Sequence, residues 1–350
     1  MTADTATTAA ELPAGLSVRR GGRTSVWTGV GSGVVILLMA YLPYAVSTSV
    51  TNTLVTFLEL LAMSVMWNLL AGYAGLVSIG QQAYVGLGAY AVLQLSDWGV
   101  PPYLGVFLAG VVCAVIALPT SLLAFRLRGD YFAVGTWVIA EVYHLVLARD
   151  NSLGGGSGRA LTTLSGIDPV LRQAITYWVA LAVAALCILG CYLLLRSRLG
   201  LALTAVRDNE VAAGSTGVAV GRAKRIVYLV AAAGTGAAGG LILVSQLNVA
   251  PDSIFSVQYT AYMIFIVVVG GIGTLEGPIL GAIIFVVIQQ LFSGAGVWYL
   301  ILLGLFAIAV AVKLPRGLWG ALSQWSGVRL FNVGYTVRGL DGIDRTGNGT

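Results

Sequence analysis

Long apolar runs, separated by short polar, glycine-rich or proline-containing breaks, follow one another along most of the chain. About 20 apolar residues are needed to cross the hydrocarbon of a bilayer, so the shorter runs cross it only when tilted, broken or re-entrant. The pattern predicts an all-α polytopic membrane protein with about ten transmembrane helices, some of them broken or re-entrant. The predicted spans are 28–46, 53–71, 79–95, 103–125, 131–148, 174–195, 226–247, 258–271, 277–293 and 297–312.

Composition supports this class, because 58% of the 350 residues are hydrophobic and only 9% are charged. Few soluble domains could bury so much apolar surface. The net charge of +5 does not indicate a nucleic-acid partner, since most of the 19 basic residues fall on one side of the predicted topology. The positive-inside rule makes that side cytoplasmic. We therefore expect a chain embedded in the lipid bilayer, with both termini cytoplasmic. It divides into an N-terminal tail (1–27), a transmembrane domain (28–312) and a C-terminal tail (313–350).

The loops between the predicted spans fit this orientation. Segments 96–102 and 248–258 carry no Lys or Arg and are placed outside. Segment 149–173 is placed outside as well, because it follows the fifth predicted span of a chain that begins inside. Segment 196–225 carries six basic and two acidic residues and falls inside. Apolar residues recur in it at helical spacing, which predicts short helices lying across the membrane face and suits a docking surface.

Glycine marks two breaks in the apolar pattern. Segments 71–90 and 270–282 are too rich in glycine to form uninterrupted helices. Paired interrupted segments in the two halves of a membrane protein indicate a transport pathway. Other glycines, among them Gly236 with Gly240 and Gly277 with Gly281, have the small-xxx-small spacing that lets helices pack closely.

Five segments, taken in order, resemble one known family. They are GYAGLVSIGQQAYVGLGAY (72–90), RGDYFAVGTWVIAEVYHLVL (128–147), NSLGGGSG (151–158), GLALTAVRDNEVAAGSTGVAVGRAKR (200–225) and VVVGGIGTLEGPILGA (267–282). The chain resembles the Liv M type of permease subunit of ATP-binding-cassette (ABC) importers for branched-chain amino acids. The resemblance implies a multi-pass protein of the bacterial inner membrane. Its implied partners are a second permease subunit, two ATP-binding ATPase subunits and an extracytoplasmic solute-binding protein.

The resemblance also assigns a role to segment 196–225. In such importers a cytoplasmic loop couples the permease to a groove on the ATPase, through a Glu-Ala-Ala pattern followed by Gly. In this chain the pattern is one residue longer than in the family. The implied ATPase-coupling residues are Arg207, Asp208, Glu210, Ala212, Ala213 and Gly217.

A few polar groups inside predicted spans are candidates for the translocation path, because burying them in lipid is costly. Glu141 and His144 are three apart in the fifth span, so they share a helix face and can share a hydrogen bond or a proton. Glu59, grouped with Asn68, Gln81 and Gln82, is the second such cluster. For both clusters the alternative is a satisfied polar contact that holds helices together.

The glycine run LGGGSG (153–158) offers a different candidate. Gly154, Gly155 and Gly156 leave bare backbone N–H groups that suit a surface receiving solute from the binding protein. The alternative is a flexible linker.

Catalytic chemistry is not indicated. The chain contains no G-x-x-x-x-G-K-[ST] phosphate loop, so ATP hydrolysis is expected from partner subunits. The three cysteines, Cys113, Cys187 and Cys191, lie in predicted spans without His or acidic residues at ligand spacing. We therefore expect no metal, no cofactor and no enzymatic activity.

The function that this implies is the permease subunit of an ABC importer for branched-chain amino acids. Two alternatives remain open. One is an ion-coupled secondary transporter that uses Glu141, His144 and Glu59 as coupling groups. The other is an ABC permease for another small solute, such as urea, an amide, an aromatic acid or a sugar.

Overall fold

A computed structural model of the protein describes residues 17–19, 33, 37–127, 129–292, 294, 296–326 and 336–338. Within these ranges the secondary structure is mainly helical. Residues 37–45 are helical, whereas the rest of the first predicted span, 28–46, lies largely outside the described residues. Most of the two predicted tails, 1–27 and 313–350, lies outside them too.

Thirteen further helices follow along the described chain. They are α1 (Thr48–Asn68, continued by a π-helical turn at Leu69–Tyr73), α2 (Gln82–Asp97), α3 (Pro102–Ala124), α4 (Asp130–Arg149), α5 (Pro169–Arg196), α6 (Arg198–Asp208), α7 (Glu210–Ser215), α8 (Val220–Gln246), α9 (Pro251–Ile254), α10 (Val257–Gly270), α11 (Gly277–Phe292), α12 (Val297–Lys313) and α13 (Gly317–Ser326). Three 3₁₀ turns, Asn151–Leu153, Gly155–Ser157 and Thr162–Leu164, lie between α4 and α5.

Four short strands within the described ranges form two antiparallel pairs. Strand β2 (Arg159–Ala160) pairs with β3 (Asn248–Val249), and this joins the loop after α4 to the loop after α8. Strand β1 (Ser17–Arg19) pairs with β4 (Thr336–Arg338), so the two chain tails lie together.

Among the described residues, six helical segments are long and apolar enough to cross a membrane. They are Thr48–Tyr73, Pro102–Ala124, Asp130–Arg149, Pro169–Arg196, Val220–Gln246 and Pro251–Gly270. A seventh candidate is the pair Trp298–Lys313 and Gly317–Trp325, which is bent by 43°. The all-α polytopic class is therefore confirmed. The predicted count of about ten is not, because α2 and α11 have 16 residues each and are too short to span the hydrocarbon upright.

Polar and backbone contacts gather the connecting segments at two ends of the helix bundle. At one end, residues 68–76 and 271–276 meet the segment 196–225, and we call this the loop end. At the other end, which we call the glycine end, lie residues 97–102, 150–168 and 247–256. Arg159 donates two hydrogen bonds to Asp97 there, at 2.7 and 2.9 Å. All three loops that were predicted to lie outside thus share one end.

Small residues let α8 pass close to α2 and α3 in the centre of the bundle. A Cβ atom on Gly239 would lie 2.0 Å from the carbonyl oxygen of Val85, and one on Gly88 would lie 1.9 Å from that of Gly236. The predicted pair Gly236 and Gly240 therefore serves helix packing. The pair Gly277 and Gly281 does the same between α10 and α11, where a Cβ on Gly281 would lie 1.9 Å from the carbonyl oxygen of Ile266.

Candidate functional site

The two glycine-rich breaks, far apart in sequence, touch each other at the loop end. Asn68 Nδ2 donates to the carbonyl of Thr274 at 2.7 Å, and the N–H of Gly273 donates to Asn68 Oδ1 at 2.9 Å. A Cβ on Gly72 would lie only 2.6 Å from the backbone nitrogen of Gly273, so the two backbones are in direct contact. A side-chain amide and two glycines therefore hold the breaks together.

Arg207, at the end of α6, reaches into this junction from segment 196–225. Its Nη1 donates to the carbonyl of Gly72 at 2.5 Å. A Cβ on Gly273 would lie 3.0 Å from the same nitrogen, so the guanidinium group lies beside both breaks. A bulkier residue at Gly273 would displace it. Among the described residues, Arg207 is the predicted coupling residue that contacts both glycine-rich breaks.

Segment 196–225 folds as predicted into short helices, α6 and α7. Ser197 caps α6 by accepting from the N–H of Leu199, and Asn209 caps α7 by accepting from the N–H groups of Val211 and Ala212. Side-chain caps of this kind satisfy backbone donors that the first turn leaves open. The caps and the turn between the helices give the segment a fixed shape, which a coupling element needs.

The predicted coupling residues differ in their exposure. Asp208, Glu210 and Ala212 are exposed, and so is Gly217, whose φ of 85° suits only glycine well. Ala213 is buried instead and cannot be a contact surface while α7 keeps this packing. Sequence reasoning missed Lys224, whose Nζ lies 2.6 Å from Glu210 Oε2.

Inside the bundle, the non-helical segment 75–81 leads to the start of α2. Side chains of neighbouring helices bond to two of its backbone groups and to the backbone of Gln82, the first residue of α2. Trp67 Nε1 donates to the carbonyl of Ser78 at 2.8 Å, Ile79 N–H donates to Thr136 Oγ1 at 3.2 Å, and Gln82 N–H donates to Thr260 Oγ1 at 3.1 Å. Non-helical backbone at membrane depth requires such protein partners.

Gln81 and Gln82, two of the translocation-path candidates, are buried at this break. Gln81 Oε1 accepts from Thr235 at 3.4 Å, and Gln82 Oε1 accepts from Thr260. Threonines isolated within apolar spans were the sequence signal for these partners, and the sequence analysis did not use it.

Glu59 does not join the two glutamines, contrary to the predicted cluster. It is 6% exposed and accepts from Ser245 Oγ at 2.8 Å. Ser245 and Thr235, the respective partners of Glu59 and Gln81, are ten residues apart on α8, which corresponds to about 15 Å along a helix. The polar groups therefore form separate contacts. Those of Glu59 and Gln81 hold α8 to other segments, and that of Gln82 holds α2 to α10.

Glu141 and His144 do form the predicted pair, and the structure adds a third member. His144 Nδ1 lies 3.1 Å from Glu141 Oε1, and His144 Nε2 lies 3.0 Å from Asp252 Oδ1. The imidazole also stacks on Phe255, with ring centroids 5.7 Å apart. The imidazole thus ties α4 to the loop 247–256 at the glycine end.

The glycine run has a defined shape. Gly154 has a φ of 96°, and a Cβ there would lie 2.4 Å from the carbonyl oxygen of Gly158. Gly158, which the sequence analysis did not single out, has a φ of 78° and lies against Val249 of β3. Asp150 accepts from both Ser152 N–H and Ser152 Oγ, and these bonds lower the pKa of its carboxyl group. The run is a folded turn packed on β3.

The three glycines should respond differently to alanine. Gly154→Ala introduces a Cβ at a left-handed φ and 2.4 Å from a backbone oxygen, so we expect a stability loss of about 1–3 kcal/mol. Gly156→Ala is the matched control, because no atom lies within 4 Å of its Cβ position. Thermal unfolding of the two purified variants measures the difference. Equal midpoints would show that the turn is a flexible linker.

Comparison with known proteins agrees with these features. Residues 49–311 match the family described as branched-chain amino acid transport system / permease component. The high-affinity branched-chain amino acid transport system permease protein LivM of Escherichia coli strain K12 is 28% identical over 312 residues, which cover 81% of this chain and 73% of that protein. The corresponding LivM of Salmonella typhimurium strain LT2 is 30% identical over 278 residues, which cover 72% of this chain and 65% of that protein.

A more distant relative carries a different name. The fructose import permease protein FruG of Bifidobacterium longum is 24% identical over 276 residues, covering 74% of this chain and 79% of that protein. No solved structure matches the chain significantly.

The helix bundle has described helices long and apolar enough to cross a membrane, as an integral membrane protein requires. Because the family match extends over most of its length, the chain belongs to the permease components of branched-chain amino acid transport systems, of the ABC type. This confirms the resemblance read from the five sequence segments. It also favours an ABC permease over an ion-coupled carrier.

Proposed function

We propose that this chain is the permease subunit through which an ATP-driven importer admits branched-chain amino acids. Family membership and the names of the LivM relatives support the substrate. The observation that carries the coupling role is the bond from Arg207 to the Gly72 carbonyl, because it connects segment 196–225 to the junction of both breaks.

The proposed assembly contains a second, related permease subunit, two ATPase subunits and an extracytoplasmic solute-binding protein. The partner ATPases hydrolyse ATP, and this chain provides part of the path. The exposed acidic and basic groups of α6 and α7 would meet the ATPase. The loops at the glycine end, including Gly154, Gly155 and Gly156, would face the binding protein.

We further propose ten crossings of the membrane, with both termini cytoplasmic. In this proposal the ten crossing segments are, in chain order, residues 37–45, α1, α2 with the extended segment before it, α3, α4, α5, α8, α10, α11 and α12. The pairing of β1 with β4 supports termini that share one side. The excess of basic residues in 196–225 supports a cytoplasmic loop end.

In the proposed mechanism, closure of the ATPase dimer displaces α6 and α7 as a unit. Arg207 transmits the displacement to Gly72 and Gly273, so both breaks move together and the helices beyond them tilt. Access then changes from one side of the membrane to the other. Breaks held by a few polar bonds deform more readily than continuous helices.

Uptake by the reconstituted assembly tests the function. The chain, co-expressed with the permease, ATPases and binding protein of its own importer, should accumulate leucine in vesicles only when ATP is supplied. Accumulation driven by a pH gradient in the absence of the ATPases would contradict the proposal. Uptake of fructose in place of leucine would contradict only the substrate.

Charge reversal at Glu210 tests the docking role. Because Glu210 is exposed, although Lys224 is half-buried, breaking their pair should cost the fold about 1 kcal/mol. A reversed charge at a desolvated ATPase groove costs a few kcal/mol. We expect Glu210→Lys to insert normally and to lose about tenfold or more of ATP-driven uptake.

The charge swap Glu210→Lys with Lys224→Glu is the matched control. It restores the internal pair but leaves a positive charge at position 210. We expect uptake to stay low. Full recovery in the swap would show that Glu210 only stabilises the loop, and normal uptake by Glu210→Lys alone would exclude a docking role.

A further inference from the structure

A polar groove opens between α1 and α11 toward the glycine end. Its volume is about 350 Å³, and it is separate from the contacts described above. Six of its seven lining residues are hydroxyl or amide side chains, and the seventh is Val286. The polar members are Ser49, Asn52, Thr53, Thr56, Gln289 and Gln290.

The polar residues of α1 form a stripe along one helix face. Positions 49, 52, 53 and 56 follow the spacing i, i+3, i+4 and i+7, so the stripe extends about 10 Å along the helix. From Leu58 onward α1 is buried almost completely. Such a stripe at the end of an otherwise apolar span is costly against lipid, which offers no hydrogen bonds.

Contacts hold the stripe in place on both sides. Gln290 Nε2 donates to Thr53 Oγ1 at 3.0 Å from α11, and Gln173 Nε2 donates to Asn52 Oδ1 at 2.8 Å from α5. Asn52 is exposed and Thr56 is half-buried. The groove between α1 and α11 is therefore a positioned surface, held by bonds from α11 and α5.

The lining chemistry also differs from that of a helix end in lipid headgroups. Headgroup-facing ends are rich in Trp, Tyr, Lys and Arg. None of these types occurs among the described residues that line the groove. Amides and hydroxyls without net charge can exchange hydrogen bonds with a small polar solute without holding it by an ion pair, which suits a surface that a solute must leave again.

We propose that this groove is the surface of the permease that a solute first contacts at the glycine end. This inference rests on the proposed function and adds the residues of that contact. The class of ligand is a small polar molecule without net charge, such as a zwitterionic amino acid. The open side of the groove would face water in the assembled transporter.

Thiol labelling in the reconstituted assembly tests the proposal. Asn52→Cys and Thr56→Cys place a thiol in the groove, and Val115→Cys, on the exposed apolar face of α3, is the matched control. The native cysteines are buried, which keeps the background low. The probe is a membrane-impermeant cationic methanethiosulfonate added on the glycine side, and leucine is the protecting solute.

Because a thiol reacts as the thiolate, which forms in water and not in hydrocarbon, we expect both groove positions to react at least about tenfold faster than Val115→Cys. Leucine delivered by the binding protein should slow this reaction, and modification should reduce uptake.

Asn52→Leu and Gln290→Leu should likewise slow uptake by about threefold or more, whereas Gln94→Leu, on α2 outside the groove, should not.

Two results would overturn the proposal. Groove thiols that react in the isolated chain but not in the assembly would mean that a protein partner covers the groove. Thiols that react in the assembly without protection by leucine and without effect on uptake would mean a surface that only faces headgroups. Uptake by the unmodified assembly is measured in parallel. If the unmodified assembly took up no leucine, the proposed substrate would be wrong. The labelling rates measured without solute would still show whether the groove faces water.

Discussion

Arg207→Ala is expected to lower ATP-driven uptake by about tenfold to a hundredfold while the protein still inserts and assembles with its ATPases. The substitution removes the 2.5 Å bond to the Gly72 carbonyl and the guanidinium group beside Gly273. A charged hydrogen bond of this kind contributes about 1.5–3 kcal/mol. Its loss disconnects α6 from both breaks, so ATP hydrolysis should continue with less solute moved per ATP.

The ratio of solute moved to ATP hydrolysed is the decisive measurement, because a general loss of folded protein would lower both rates together. Arg198→Ala is the matched control, since it removes the same charge from the other end of the same helix. Arg207→Lys keeps the charge but not the planar, forked guanidinium group. Its ratio of solute moved to ATP hydrolysed should therefore lie between those of Arg207→Ala and Arg198→Ala. An unchanged ratio in Arg207→Ala would exclude the link as the coupling element.

The sequence predicted the shape of segment 196–225 better than it predicted the contacts of the polar groups inside the bundle. Amphipathic spacing predicted the short helices α6 and α7, and the Glu141–His144 pair followed from a separation of three residues on one helix. Both are local regularities, which a sequence displays directly. The contact between Gly72 and Gly273 is not local, because it depends on how helices about 200 residues apart in sequence pack against each other. The only sequence signal for it was that both segments are rich in glycine.

The grouping of Glu59 with Gln81 and Gln82 was wrong for the same reason. The sequence shows that polar residues are few, but their partners lie on other helices. Ser245 and Thr235, both on α8, separate them. Asp252 was missed as the third member of the His144 network because it belongs to a loop whose position depends on the β2–β3 pairing. The number of membrane spans was also hard to predict. Length identifies a helix that is long enough to cross the membrane upright, but it does not identify a short helix that could cross only together with a neighbouring segment.

Gly239→Ala is expected to destabilise the helix bundle strongly, by about 2 kcal/mol or more, and to reduce the yield of folded protein. Its Cβ would lie 2.0 Å from the carbonyl oxygen of Val85 on α2, so α8 and α2 would have to move apart along their whole crossing. Backbone atoms cannot give way as a flexible side chain can, and overpacking of this kind costs about 1–3 kcal/mol or more. Thermal unfolding in detergent and the fraction of monodisperse protein measure the effect.

Gly190→Ala is the matched control, because Gly190 is also in the interior of a long span, α5, and no atom lies within 4 Å of its Cβ position. Alanine has the higher helix propensity, so this variant should be as stable as the unmodified protein or gain up to about 1 kcal/mol. The two substitutions add the same methyl group to the same kind of helix and differ only in what that group meets. Equal stability of the two variants would mean that the close crossing of α2 and α8, and with it the placement of the break at Gln81 and Gln82, is incorrect.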